Sequence, residues 1–172
     1  MGTREKNDKQ GLFQVRYREG VMDTKQYLQQ ISRLDRMINN KLAEISQLRE
    51  LAMSVSAVKN EERVQTTPDK DRLGSMVAKI TDLEKETDML IDRFVDLKKE
   101  IMIIISMVKS ERHREILSKK YLELKSIYEI AEELGITDRG CKKAHKKALD
   151  EFEKIKNTIY SIDIDSSLQH DV

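Results

Sequence analysis

The 172-residue chain has no tryptophan, one cysteine, one proline, six glycines and only 5% aromatic residues. So few glycines and prolines cannot supply the tight turns of a sheet protein, which excludes an all-β fold. The single cysteine, Cys141, cannot close an internal disulfide, and nothing points to an oxidising compartment. The longest purely apolar run, Ile101 to Ile105, falls far short of the roughly 20 residues of a membrane span. Met1 to Lys6 has no apolar stretch for secretion, and Lys6 stands where a myristoylation signal needs Ser or Thr. The expected setting is the cytoplasm, with no membrane partner. An excess of one charge is missing too: 32 Lys and Arg against 31 Asp and Glu leave a net +1. Any nucleic-acid affinity must therefore come from a local patch. The scarcity of aromatics also disfavours single-strand recognition by base stacking.

What is abundant is charge, 37% of the residues, laid out with helical periodicity. Residues 1–21 show no sustained period and read as a flexible N-terminal extension. From Asp23 one seam runs Tyr27, Leu34, Lys41, Leu48, Val55 and a companion runs Ile31, Ile38, Ile45, Ala52. Alternating spacings of four and three mark a helix that buries a narrow stripe. Lys41 breaks the seam, so its ammonium is expected to reach out or to pair with a carboxylate. After a polar break over residues 56–70, Thr67 and Pro68 read as the cap and first position of a second helix. Its stripe runs Leu73, Met76, Ile80, Leu83, Thr87, Leu90, Phe94, Leu97, Ile101, Ile104, Val108. Two long amphipathic helices with a short connection predict an antiparallel hairpin, a coiled coil, over residues 22–109. Val77, Ile91, Val95 and Ile103 are left over and imply further burial, by self-association or against the next domain.

Residues 110–157 change character. Arg112 to Leu122 predicts a helix with Ile116, Leu117, Tyr121 and Leu122 on one side. Ser126 and Glu129 have capping-box spacing and open a helix that ends at Leu134-Gly135. Thr137 then caps a final helix expected to reach about Ile155, with a polar tail over 158–172. Within this stretch Ala131 is the small contact residue, Gly135 the turn glycine, and Ile130, Leu134, Ile136, Cys141 and Ala144 fill the apolar slots. That is the pattern of a helix-turn-helix. The fold class is therefore all-α: a long antiparallel helical hairpin followed by a small helix-turn-helix domain.

The outward face of the last helix holds Arg139, Lys142, Lys143, Lys146 and Lys147, five cations within nine residues. Thr137, Asp138 and Arg139 would reach base edges if the helix N-terminus enters a major groove. Arg139 suits guanine, whose two acceptors match its forked donors. The lysines would lie along the groove or reach its phosphates. The three histidines, His113, His145 and His170, and Cys141 lack zinc-ligand spacing, and His145 is expected to pack at the domain edge. Cys141 occupies a core slot. No phosphate loop, nucleophile elbow or paired acids appear, so neither catalysis, metal nor cofactor is expected.

Residues 112–155, containing HREILSKKYLELKSIYEIAEELGITDRGCKKAHKKALDEFEKI, resemble the region 4 helix-turn-helix of sigma-70-type transcription factors. From about residue 22 the chain is similar to small phage and prophage proteins of Gram-positive bacteria that join an N-terminal coiled coil to such a C-terminus. MDTKQYLQQISRLDRMINNKLAEISQLRELA, RVQTTPDKDRLGSMVAKITDLE and AHKKALDE carry that likeness. Some of those proteins are described as late-gene or autolysin regulators. The resemblance implies a transcriptional regulator in a bacterial cytoplasm, binding double-stranded DNA near promoters. It also implies a partner in RNA polymerase or a host sigma factor. Nothing resembles the sigma segment that melts the promoter, so independent promoter opening is not expected. The coiled coil would serve homodimerisation or docking. Two other readings stay open: an adaptor whose hairpin binds polymerase or sigma, and a DNA-packaging adaptor of the small-terminase kind.

Overall fold

The computed structural model describes residues 23–58 and 69–168. The expected extension over 1–21 and the cap at Thr67-Pro68 lie outside the described residues. All regular structure among the described residues is helical: α1 Thr24–Val58, α2 Asp69–Ser106, α3 Glu111–Leu117, α4 Ile127–Glu133 and α5 Asp138–Leu168, with a π-helical turn, Ser118–Leu122, after α3. No described helix is long and apolar enough to cross a membrane.

The chain divides into two compact units, residues 31–99 and a unit built from both sides of them. The division differs from the boundary expected near 109/110, because the first residues of α1 and the end of α2 belong with α3–α5. In the 31–99 unit, Leu34 and Ile45 of α1 and Leu83 and Leu97 of α2 are buried. These are the positions the 3–4 periodicity marks. Thr87 is buried on the same stripe and satisfies its hydroxyl by donating to the Leu83 carbonyl at 2.6 Å. Three ion pairs run from α1 to α2: Lys41 with Glu86, Arg49 with Glu84, and Glu44 with Lys79. Each is solvent-accessible and worth less than about 1 kcal/mol, so they record register more than they stabilise.

The second unit has two adjoining cores. Ile116, Ile130, Ala131 and Cys141 form one, with Ile127, Leu134, Ile136 and Ala144 packed against it. In the other, the rings of Tyr27 and Phe152 lie 6.3 Å apart between α1 and α5. Helix α5 runs to Leu168 and not to Ile155 as expected. Its core stripe continues Ala148, Phe152, Lys156 at helical spacing, and Lys156 is fully buried. The Lys156 ammonium donates to Thr24 Oγ1 at 2.9 Å and lies 5.3 Å from the centre of the Tyr27 ring. One turn on, the Tyr160 hydroxyl donates to Glu100 of α2. The tail expected over 158–172 is helix as far as Leu168, and Tyr160 within it is bonded to α2.

Turn chemistry sets the remaining geometry. The single helix expected over 112–122 is α-helical only to Leu117, after which the Glu123 N–H reaches back to the Ser118 carbonyl at 3.1 Å. The turn closes on Leu124 with φ of 59°, and the Lys125 N–H bonds the Lys119 carbonyl at 3.0 Å. That bond spans one residue more than a Schellman bond, as the wider π turn requires. A leucine in the left-handed region costs about 1 kcal/mol, and Leu124 is exposed. Leu124→Gly is therefore expected to leave the fold intact and to raise stability by up to ~1 kcal/mol in urea unfolding. An unchanged or lower midpoint would contradict this.

Candidate nucleic-acid interface

Ser126 caps α4 through a complete capping box, its hydroxyl accepting from the Glu129 N–H while Glu129 accepts from the Ser126 N–H. Hydrogen bonding to the carboxyl from the Ser126 side chain and from its backbone N–H holds Glu129 below the usual carboxylate range. At the other end Gly135, with φ of 61°, closes a full Schellman motif. Its N–H bonds the Glu132 carbonyl at 3.1 Å, and the Ile136 N–H bonds the Ala131 carbonyl at 2.9 Å. The chain thereby reverses within four residues and starts α5. Thr137 caps α5, its hydroxyl accepting from the Gly140 N–H at 3.1 Å. A Cβ on Gly140 would sit 3.1 Å from that hydroxyl oxygen, so the bare glycine leaves the cap room. Asp138, in the first turn, complements the helix dipole.

The faces of α5 separate sharply. At about 100° per residue, Arg139, Lys142, Lys143, Lys146 and Lys147 fall within an arc of roughly 140°. Cys141, Ala144, Ala148 and Phe152 fall on the opposite side, facing the core. Thr137, Asp138 and the five cations are all exposed. None of the five cations forms an ion pair or hydrogen bond with a described residue. From Arg139 to Lys147 the helix rises about 12 Å. All seven side chains expected at the site thus cluster on the first turns of α5 and its solvent face.

Nearby cations are used differently. Lys119 and Lys125 both reach Glu133 at 2.7 Å, and Lys125 also reaches Glu123 at 2.9 Å. Hydrogen bonds from these two lysines hold the Glu133 carboxyl below its usual range and raise both ammoniums. They staple the π turn to α4. His145 is turned away from the cation arc: its Nε2 lies 3.0 Å from the Tyr121 hydroxyl and the rings stack at 5.7 Å. Burial first, then the charges of Lys120 and Lys25, push the imidazole below its ordinary value, so it is neutral at pH 7. Burial also pushes Tyr121 up to about 12. Lys25 and Lys120, close enough to act on His145, were not marked by sequence pattern. No local signal brings the first turn of α1 to this flank.

Burial raises the Cys141 thiol, as befits a core residue. No three His, Cys, Asp or Glu side chains converge as metal ligands among the described residues. Compared with family models, characterised proteins and solved structures, the chain matches none.

Proposed function

We propose that the protein is a sequence-specific, double-stranded-DNA-binding transcriptional regulator of phage type. Residues 110–157 act as a sigma region 4-like helix-turn-helix, and α1 with α2 act as an antiparallel coiled-coil hairpin for dimerisation or docking. One observation carries this: five unpaired cations occupy the side of α5 that points away from the core. Lys119 and Lys125 beside it, and Lys41, Arg49 and Lys79 between α1 and α2, are instead paired with carboxylates. Between Arg139 and Lys147 the α5 stripe holds no acid, and on the helix that follows a glycine turn it suits a polyanion.

In this function α5 lies in the major groove. Arg139 offers two parallel donors to guanine O6 and N7, and Asp138 accepts from a cytosine amino group. Thr137 stands at the helix start beside the phosphate backbone. Lys142, Lys143, Lys146 and Lys147 neutralise phosphates, which fixes position without reading sequence. The protein is a binding protein of the bacterial cytoplasm, not a catalyst, with RNA polymerase or a host sigma factor as a further partner.

Selection from random duplexes followed by titration tests this. The selected duplex is expected to bind with a log–log salt slope near −4 to −5. Replacing Arg139, Lys142 and Lys143 with alanine should weaken binding by ~100-fold or more, reduce the slope by about 2 to 3, and leave helicity unchanged. Equal binding by the folded triple variant would refute the assignment.

A further inference from the structure

The two open sides of the α1/α2 pair differ within residues 31–99. Lys41–Glu86 and Glu44–Lys79 bridge one side, which also exposes Met37, Leu51 and Met89. The other carries one bridge, Arg49–Glu84, and five exposed apolar side chains: Leu42, Met53, Val77, Ile91 and Val95. Helical phase separates the sides in the same way. At 100° per residue, Val77, Ile91 and Val95 lie about 100° round α2 from its buried stripe, and Leu42 and Met53 lie about 60–80° round α1 from its own. With α1 and α2 antiparallel, both displacements point to the same side. Together the five leave on the order of 450 Å² of apolar side-chain surface open, near the apolar share of the roughly 800 Å² each partner of a stable dimer buries.

We infer that this side is where a second copy of the chain packs, face to face and antiparallel, making a four-helix bundle about a two-fold axis at Leu42. The layout is self-complementary. Met53 and Val77 sit toward one end of the pair, Ile91 and Val95 toward the other, and Leu42 between them. Turning a second copy end for end brings unlike patches together and Leu42 onto its own equivalent. Charge follows the same symmetry. Asp35 and Arg49 stand seven residues on either side of Leu42, so antiparallel pairing of the two α1 helices sets each arginine opposite the other copy's aspartate. An isologous interface requires this kind of self-matching.

This dimer rests on the antiparallel hairpin proposed above and not on the DNA contacts, so it is tested without DNA. Sedimentation equilibrium of the full chain at ~10–100 µM should give a dimer. Val77→Lys with Val95→Lys, both at exposed positions that leave the buried stripe intact, should raise the dissociation constant at least tenfold with unchanged helicity. Leu42→Cys should form an interchain disulfide under mild oxidation. Met89→Cys, 59% exposed and on the ion-paired side, should not. A monomeric parent overturns the inference, and so does a dimer insensitive to the two lysines. Cross-linking at position 42 no faster than at 89 also overturns it.

Discussion

Phe152→Ala is expected to destabilise the α3–α5 unit by about 3–5 kcal/mol and to lower its Tm by roughly 10–20 °C. Phe152 is fully buried, and its ring meets Tyr27 at 6.3 Å with a 40° tilt. Truncation removes the transfer energy of the ring and leaves a cavity between two helices that cannot close on it. The loss is large against the 5–15 kcal/mol that holds a domain together. Circular dichroism melts at 222 nm measure it directly, with Met53→Ala, at a 71% exposed site, as a comparison expected within about 0.5 kcal/mol. A Tm shift for Phe152→Ala no larger than for Met53→Ala would refute the packing described between α1 and α5.

The second large effect is a pH dependence. Lys156 is fully buried, and burial outweighs the favourable charges of Glu153 and Asp23, pushing its ammonium from 10.5 down to about 8. In the unfolded chain it titrates near 10.5, so between pH 8 and 10.5 the unfolded state binds more protons. Stability therefore rises with pH through that window, and at pH 7 the buried charge costs about 3 kcal/mol. Groups with raised values act in the opposite sense. Cys141 in the unfolded chain ionises from about 9, and Tyr27 and Tyr121 from about 10. Each then withdraws stability as pH climbs past its unfolded value. Urea unfolding should show a maximum near pH 9, above the usual optimum. Lys156→Met should raise stability at pH 7 by about 1–3 kcal/mol and abolish the rise between pH 7 and 9. If the variant is less stable than the parent at pH 7, the ammonium–Thr24 bond outweighs its desolvation and the assignment of sign is wrong.

Local features were legible in the residue order because their determinants lie within one or two turns. The 3–4 spacing places Leu34, Ile45, Leu83 and Leu97 in the seam, and the buried Thr87 among them. Lys41 has the carboxylate partner its place in the stripe called for. Ser126 and Glu129 make their capping box, and Gly135 takes the left-handed turn. What escaped depends on partners distant in sequence. Lys156 sits in phase with Ala148 and Phe152, but a charged side chain at that phase reads as helix surface unless Thr24 and Tyr27 are known to lie opposite. Tyr160 is silent until Glu100 faces it. The π turn escaped for another reason. A one-residue widening leaves Ile116, Leu117 and Tyr121 on the buried side, so hydrophobic pattern cannot distinguish it from α-helix. At the candidate interface the cation arc was readable from spacing. The freedom of those cations was not, because Lys119 and Lys125 look equally available until Glu133 is seen to bind both.

The bond between Thr24 and Lys156 joins residues 132 positions apart. On a ribosome adding 5–20 residues per second, that separation is a delay of roughly 7 to 26 s. Throughout it Tyr27 is already made, and Phe152, whose ring it meets, is not. The unit that carries the candidate interface is thus among the last parts of the chain to become complete, and its oldest apolar residues spend the longest time uncovered.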